Sequence, residues 1–463
     1  MTKSQSHSTW LRSIYQPKEF QSVIFTGFEL NSLSPMCIII NDFVDSIDLS
    51  FFDDYYKANR KTGGRPNYNY GTLLKIYLYA LYERISIRSL NRFFTLGSNL
   101  HYLAQELSDF PDHTTFSKFL NILDLLIDRI FDLSIGYICG YIELDLANLY
   151  CDGTVFEAHN NRHKIITDAN IERSNKKWSN VLNDESSSEE SRDLAKQKLA
   201  LNEERTIKLI EYERTSYGRT DNDSVILKDK NGSFIAGYNV QLVEENKYGL
   251  IVFARISNKN PDSAAFLEMV PYLLKTYDVE SITMDTGYGT PEILSLLVAA
   301  DILPYIKALK NENANKKITD NSFELSENND CLICPMGQTL ERVETKMEGK
   351  TAFKATNCQL CDIKAKCLDG TKNKRVTINI EEFMAFKIAE ATVNSVEGKD
   401  MYSHRGNKCE SPNGFIKYNL NGKKLKRVGL VKNNTTIKMY CILNNLRRLI
   451  SIKSALQKVN VTC

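Results

Sequence analysis

No stretch of this chain comes near the ~18 consecutive apolar residues that a membrane-spanning helix needs, although 42% of its 463 residues are hydrophobic. The N-terminus, Met-Thr-Lys-Ser-Gln-Ser-His-Ser, is polar and lacks the apolar core and cleavage site of a secretory signal. We therefore expect a cytosolic protein with no membrane partner. In that reducing compartment the eleven cysteines favour free thiols or a metal site over disulfides.

Acidic residues are almost absent from the C-terminal tail. Between Met401 and Cys463 thirteen residues are Lys or Arg, and only Glu410 is acidic. The net charge of +2 hides this segregation, because the rest of the chain is roughly neutral to acidic. This excess of positive charge predicts that the tail binds the phosphates of DNA, independently of sequence and more weakly as salt concentration rises. A lone carboxylate in such a tail suggests a specific role.

The length of 463 residues predicts two to four domains. Residues 30–140 carry apolar side chains at helical spacing, with helices expected in Leu33–Tyr56, at Leu73–Leu81, after Ser86 and after Pro111. A turn at 61–66 is expected to close the first of these segments. This all-helical region fits either DNA binding or an ordinary helical bundle.

From Asp152 onward strands and helices alternate. A charged excursion, His159–Asp223, predicts two exposed helices joined by a loop at 184–190, either a solvated arm or a coiled-coil partner surface. A hairpin is expected at 237–243 and 249–256. The order after it is helix, strand, helix and strand, which predicts a mixed α/β sheet covered by helices.

Two aspartates share one local setting, an apolar run followed by the acid and then by glycine. Asp285 stands in Ser281–Gly289, and Asp152 stands in Asn148–Phe156, 133 positions earlier. Each is expected where a buried strand gives way to a loop, although an Asp in this position is often turn chemistry. Glu157 and Glu292 lie close enough in sequence to compete for the same role.

Together with Glu410, the two aspartates can hold a pair of Mg²⁺ (or Mn²⁺) ions, because carboxylates suit hard cations and paired ions drive displacement at phosphorus. Glu410 alone also fits a surface charge paired with Arg405. Basic or aromatic residues of the tail are candidates for DNA contact, although a run of bases also fits a solvated face. These candidates are Tyr402, Arg405, Lys417, Lys423, Lys424, Lys426 and Arg427.

Five cysteines cluster between residues 331 and 367. Cys331 and Cys334 form one Cys-x-x-Cys pair, and Cys358 and Cys361 form a second, with Cys367 close behind. Two such pairs have the spacing of a zinc ribbon, in which four thiolates bind Zn²⁺. Cys367 is an alternative ligand, and reduced free cysteines without metal are the other interpretation.

These motifs resemble the DDE transposases of bacterial insertion sequences, specifically the eleven-eighty-two family, over nearly the whole length. The similar segments are Gly-Arg-Pro with Leu-Leu-Lys-Ile-Tyr-Leu-Tyr, Pro111–Ser117, Cys151–Asn160, Gly237–Gln241, Met284–Tyr288 and the cysteine cluster. Tyr402, Arg405, Glu410 and Lys417 resemble the signature around the third acid of related transposases. Six residues separate Glu410 from Lys417 as in that signature, and four separate Arg405 from Glu410 where the wider superfamily has three.

The resemblance implies a mixed α+β protein: a helical domain at 1–140, a ribonuclease H-like catalytic domain at 141–310 and 395–463 with the charged helical insertion 159–223, and a zinc-ribbon-like cysteine-rich insertion at 311–394. Asp152, Asp285 and Glu410 would bind the metal, and Arg405 and Lys417 would contact DNA. The implied activity is strand cleavage at the insertion-sequence ends followed by strand transfer into target DNA. A homo-oligomer on DNA, associated with a bacterial nucleoid in the cytoplasm, is expected by analogy.

Two other functions remain open from the sequence. The chain could be a metal-dependent nuclease that cuts without joining, or a non-catalytic DNA-binding protein descended from a transposase. A tyrosine recombinase is disfavoured, because two-metal chemistry needs no covalent protein nucleophile. Tyr288 and Tyr402 are therefore expected to pack or to contact DNA.

Overall fold

The computed structural model describes residues 32–59, 68–96, 98–107, 109–161, 164–228, 232–308, 318, 320–368 and 371–461. The predicted turn at 61–66 lies outside the described residues. Backbone contacts divide the chain into two compact units. The first unit comprises 1–146, 153–265 and 409–463, and the second comprises 147–152 and 266–408. Within the described ranges no helix is long and apolar enough to cross a membrane.

The first unit opens with helices, as the apolar spacing predicted. They are α1 (Pro35–Ser46), α2 (Ser50–Asn59), α3 (Tyr70–Tyr82), α4 (Leu90–Leu96), α5 (Ser98–Leu103) and α6 (His113–Cys139). Polar side chains begin three of them by accepting a backbone N–H hydrogen bond: Ser34 for α1, Asn69 for α3 and Asp112 for α6. The buried faces of α1, α3 and α6 form an apolar core.

Strand β1 (Asn148–Glu157) contributes residues to both units, since 148–152 cluster with the second and 153–157 with the first. The first unit continues with β2 (Ile165–Thr167), α7 (Asp168–Asn183), α8 (Glu189–Glu211), β3 (Ser216–Gly218), β4 (Val225–Lys228), β5 (Phe234–Glu245) and β6 (Ile251–Ser257). β5 lies beside β1 and pairs antiparallel with β4 and β6, which confirms the predicted hairpin. The charged excursion folds as the helix pair α7 and α8, with a loop at 184–188.

The second unit contains strands that pair in parallel. After α9 (Asp262–Thr276) come β7 (Ser281–Thr283), α10 (Pro291–Ala299) and β8 (Leu303–Tyr305). β7 pairs parallel with β1 on one side and with β8 on the other. A helix between successive strands returns the chain to the same edge, so the predicted order of strand, helix and strand produces parallel pairing.

An antiparallel meander occupies the cysteine-rich part of the second unit. Its strands are β9 (Glu324–Leu325), β10 (Cys331–Ile333), β11 (Thr339–Val343), β12 (Thr351–Ala355) and β13 (Arg375–Ile378), with α11 (Lys364–Cys367) between the last two. Three helices follow: α12 (Ile380–Asn394), α13 (Val396–Gly414), which passes into a π-helical turn at Phe415–Asn419, and α14 (Leu430–Val461). The last six residues of α13, the turn and α14 cluster with the first unit.

One prediction about Asp152 is wrong. The residue was expected at the end of a strand, yet β1 continues through it to Glu157. The reason is the sequence after Gly153, because Thr154, Val155 and Phe156 favour extended structure. Gly153 has no side chain, but it does not end the strand. Asp285 behaves as expected, two residues beyond the end of β7.

Candidate active site

The register of the parallel strands places Asp152 and Asp285 at equivalent positions. In β1 and β7 the last registered pair is Tyr150 with Thr283, so each aspartate lies two residues beyond that pair. Neighbouring strands are about 4.8 Å apart. Ser281 Oγ donates to Asn148 Oδ1 at 2.7 Å and strengthens the pairing at the other end of the same strands. The two acids are therefore brought to one edge of the sheet within the second unit.

One carboxylate oxygen of Asp285 stabilises the turn that follows the residue. Its Oδ1 accepts a hydrogen bond from the backbone N–H of Gly287 at 2.8 Å, which starts a short 3₁₀ turn. Tyr288 in that turn is fully buried and packs edge-to-face on Phe266, with ring centroids 5.7 Å apart. Tyr288 is thus a packing residue, and the half-buried Asp285 is held by backbone geometry at the strand end.

Asp152 is the more buried of the two acids, and a cation lies beside it. The side chain of Asp152 is 11% exposed, and Arg405 Nη1 is 3.9 Å from its Oδ1. Arg405 belongs to the part of α13 that clusters with the second unit. Because both groups are partly withdrawn from water, the guanidinium offsets the negative charge of Asp152 more than it would at the surface.

Three contacts one helical turn apart fix the start of α13. Glu397 hydrogen-bonds Tyr305. Burial is the main cause that raises the pKa of the Tyr305 hydroxyl, and the negative charge of Glu397 raises it further. One turn later Tyr150 donates its hydroxyl to Met401 Sδ at 3.5 Å. The contact of Arg405 with Asp152 comes after one further turn. Residues at i, i+4 and i+8 share one helix face, so this face determines the position of Arg405.

Lys307 is a residue that the sequence reasoning missed. The pairing of Thr283 with Tyr305 in β7 and β8 places Lys307 two residues beyond its pair, in the same row as Asp285. Its Nζ lies 4.5 Å from the ring centroid of Tyr402, and the Arg405 guanidinium lies 5.8 Å from the same ring. Tyr402 therefore contacts two cations by its aromatic ring. The signal was available, because Lys307 follows β8 at the same distance as Asp285 follows β7.

Glu410 lies five residues after Arg405 in α13 and is exposed. At 3.6 residues per turn the two residues point to different sides of the helix. Glu410 clusters with the first unit. The helix then widens into the π-helical turn that carries Lys417, and such insertions are frequent at functional sites.

The basic residues of the tail are attached to the end of β1 within the first unit. Lys417 donates from Nζ to Thr154 Oγ1 and lies 5.1 Å from the centroid of the Phe156 ring. The backbone of the basic run pairs with the last strand residue, since Glu157 N–H donates to the Lys423 carbonyl at 2.9 Å. Lys423, Lys424 and Lys426 remain exposed.

Besides Arg405, two of the predicted DNA contacts hold acidic partners. Lys424 forms an ion pair with Glu157 at 2.8 Å, in which the Lys424 side chain is exposed and that of Glu157 is partly exposed. Arg427 binds Asp124 through both terminal nitrogens, at 2.6 and 2.7 Å, and both side chains are largely buried. Glu157, a competitor for the catalytic role in the sequence, is thus paired with a lysine.

A buried polar cluster surrounds Gly153 in the first unit. Asn239 Nδ2 donates to Asp262 Oδ1 at 2.7 Å, and Gln241 Nε2 donates to Asn239 Oδ1 at 2.9 Å. A Cβ atom at position 153 would lie 2.4 Å from Asp262 Oδ1, closer than real Cβ contacts. The absence of a side chain directly after Asp152 is therefore a requirement of packing, which spacing alone did not indicate.

The cysteines of the meander are all reduced, and four of them meet at one pocket. Cys334, Cys358, Cys361 and Cys367 line a cavity of about 20 Å³, and Cys331 is not among its lining residues. Burial raises the pKa of Cys367, Lys374 lowers it, and the other three thiols of the pocket raise it. In the described residues no three Cys, His, Asp or Glu side chains are already arranged to hold a metal ion.

Two family models match parts of this sequence. Residues 333–450 match a model described as a transposase DDE domain. Residues 29–121 match a second model, described as a transposase domain. The two matches support a DDE-type transposase. The first range contains Glu410 and the pocket cysteines, whereas Asp152 and Asp285 lie outside both ranges.

Beyond the family models the similarities are weak. A solved structure titled as a cryo-EM structure of the piggyBac transposase synaptic complex with hairpin DNA aligns with a TM-score of 0.37 and 10% sequence identity. The alignment covers 94% of this chain and 78% of that one, and at this TM-score it carries no conclusion about this protein. No curated protein matches the sequence.

Proposed function

We propose that this protein is a DDE transposase that cleaves DNA strands at the ends of an insertion sequence and joins them to target DNA. The observation that carries the proposal is the equal register of Asp152 and Asp285 on parallel strands. Glu410, in the segment similar to a transposase DDE domain, is proposed as the third acid. The parallel strands and the antiparallel β5–β6 pair are also what we expect of a ribonuclease H-like catalytic domain.

The donor chemistry of these residues fits Mg²⁺ or Mn²⁺. Carboxylate oxygens are the ligands that hard divalent cations prefer. Gly287 hydrogen-bonds Oδ1 of Asp285, so Oδ2 is the oxygen proposed for metal binding. Two such ions, when bound, activate the attacking oxygen and stabilise the leaving oxygen of a displacement at phosphorus. Arg405 lies beside Asp152, where it can both orient that carboxylate and bind a DNA phosphate.

The remaining cations are proposed to position DNA. Tyr402 and Lys417, which lie near Glu410 in the sequence, are proposed to contact DNA close to the acids. The exposed Lys423, Lys424 and Lys426 supply general phosphate affinity. Arg427 contributes least among the predicted contacts, because Asp124 occupies its two terminal nitrogens. A homo-oligomer that holds paired DNA ends in the bacterial cytoplasm, and a Zn²⁺ site in the cysteine-rich segment, complete the proposal.

Cleavage of a labelled duplex tests the catalytic assignment. The duplex carries the DNA that borders this protein's coding sequence, and it is incubated with Mg²⁺ and wild-type protein, Asp152→Asn or Asp285→Asn. Asp301→Asn is the matched control, because Asp301 is exposed and Asn tolerates its left-handed backbone, φ 59°. We expect nicks at the end with wild type and the control, and DNA binding without nicks with the other two variants. Equal cutting by all four proteins contradicts the assignment.

An assay of DNA strand joining distinguishes a transposase from a nuclease of the same fold. Duplexes with pre-cut 3′-hydroxyl ends and a supercoiled target plasmid should give strand-transfer products with wild type. Cutting without joining would indicate the nuclease. Binding of the end DNA without either reaction, in Mg²⁺ and in Mn²⁺, would indicate a non-catalytic descendant of a transposase.

A further inference from the structure

The cysteine-rich meander separates its five thiols into two groups. In β10 alternate residues share a face. Leu332 is fully buried in the apolar cluster of the meander and Ile333 is exposed. Cys334 follows on the side of Leu332 and packs against that cluster, whereas Cys331 falls on the side of Ile333. The first Cys-x-x-Cys pair therefore does not present both sulfurs to one point.

Two later segments, the turn at Cys358–Cys361 and the helix α11, place three more thiols on the side of Cys334. Cys358 and Cys361 lie on a turn closed by a hydrogen bond from Cys361 N–H to the Cys358 carbonyl, 3.2 Å. α11 then brings Cys367 back, and Cys358 and Cys367 pack against the same apolar cluster as Cys334. The resulting cavity has a volume of about 20 Å³. A single water molecule needs about 10–15 Å³ by the same measure, so the cavity has room for one ion or water molecule and not for an organic ligand.

Backbone amides are directed at two of these sulfurs. Gln338 N–H donates to Cys334 Sγ at 3.2 Å, and Lys374 N–H donates to Cys358 Sγ at 3.4 Å. The first of these amides is oriented by a tight turn in which Gly337 has φ 76°. Hydrogen bonds to sulfur stabilise the thiolate form, which is the form that binds metal.

From these observations we propose a structural Zn²⁺ site with the ligands Cys334, Cys358, Cys361 and Cys367, in which Cys331 takes no part. In the described residues no three Cys, His, Asp or Glu side chains are arranged to hold a metal ion, so the proposed site requires the four cysteine side chains to turn toward one point as their protons leave. Four thiolates and no open position mark a site that stabilises the meander rather than one that performs chemistry. The site does not depend on the proposed transposase activity.

Metal content of the full-length protein tests the ligand set. The protein is purified under reducing conditions, loaded with ZnCl₂, dialysed and measured by atomic emission, and the Co²⁺-substituted form is read by its visible absorption. We expect about one Zn²⁺ per chain in wild type and in Cys331→Ser. We expect at least a tenfold weaker affinity in Cys334→Ser, Cys358→Ser, Cys361→Ser and Cys367→Ser, and fewer thiolate-to-cobalt bands. Loss of zinc in Cys331→Ser, or no zinc in wild type, overturns the proposal.

Alkylation of wild-type protein gives a measurement that does not require any variant to fold. Zinc-loaded protein is treated with iodoacetamide with and without a chelator, and each cysteine is quantified by peptide mass spectrometry. Cys331 should react at the same rate in both samples, whereas the four pocket cysteines should react only after chelation. Equal reactivity of all five before chelation contradicts the site, and protection of Cys331 contradicts the ligand set. Neither readout uses DNA, so failure here is distinct from failure of the cleavage assay.

Discussion

Asp152 and Asp285 lie at equal distance beyond the registered pair Tyr150–Thr283 on neighbouring parallel strands. The same offset of 133 residues separates them in the sequence and in the strand register. Pairing of β7 with β8 then extends the row to Lys307. The proposed binding of divalent cations and of a DNA phosphate rests on this row of two acids and a base at one sheet edge.

Lys307→Ala should weaken DNA binding without affecting the fold. The side chain is exposed and its amine lies over Tyr402, so its loss removes one positive charge and little packing. We expect the slope of log K against log salt to fall by about 1 in magnitude. Fluorescence anisotropy at several salt concentrations measures this slope. Lys275→Ala, in the last turn of α9, is the control, and an equal effect from both variants would count against a local role.

Gly153→Ala should destabilise the first unit. The new methyl group collides with Asp262 and with Gln241 Nε2, which would lie 2.7 Å away, and overpacking costs about 1–3 kcal/mol. Gly406→Ala is the matched control, because nothing lies within 4 Å of the added atom and alanine favours a helix by up to about 1 kcal/mol. Urea denaturation compares the two. Adding Asp262→Ala should recover part of the loss at position 153, and simple additivity of the two changes would contradict the collision.

Arg427→Ala should be far more destabilising than Lys424→Ala. Removal of Arg427 leaves Asp124 largely buried without its partner, which costs about 3–5 kcal/mol. The exposed pair of Lys424 with Glu157 is worth about 1 kcal/mol or less. Thermal unfolding followed by circular dichroism measures both. Similar melting temperatures for the two variants would show that Arg427 does not anchor the basic run.

Asp132 should make stability depend on pH. Burial raises the pKa of this carboxyl to about 6, Lys438 lowers it and Asp128 raises it. Between its ordinary value of 3.8 and about 6 the folded state holds more protons than the unfolded state, so stability falls as pH rises through that window. Asp132→Asn removes the dependence.

The variant should therefore match wild type near pH 4 and be more stable at pH 8, by at most about 3 kcal/mol. Denaturation at both pH values checks this, with Asp128→Asn as the comparison because Asp128 is exposed and paired with Lys438. An unchanged pH slope in Asp132→Asn would assign the dependence to other groups.

Several features of the site could be predicted because they depend on local pattern. The apolar runs before the two aspartates specify strands, and the alternation of strand and helix specifies a mixed sheet covered by helices. Lys307 could have been found by the same counting. The ligand set at the cysteines could not, because spacing counts the thiols and does not show that Leu332 turns Cys331 away from Cys334.

The sequence by itself determined the helical region, the hairpin, the order of strands and helices in a mixed sheet, and the motifs that resemble DDE transposases, because propensity and periodicity are properties of short segments. Tertiary structure alone decided that Gly153 must lack a side chain, that Arg427 binds Asp124, and that Cys367 rather than Cys331 faces the pocket. Those outcomes depend on which distant segments meet. Such meetings are governed by burial and by the pairing of charges, and neither can be read from one segment of the chain.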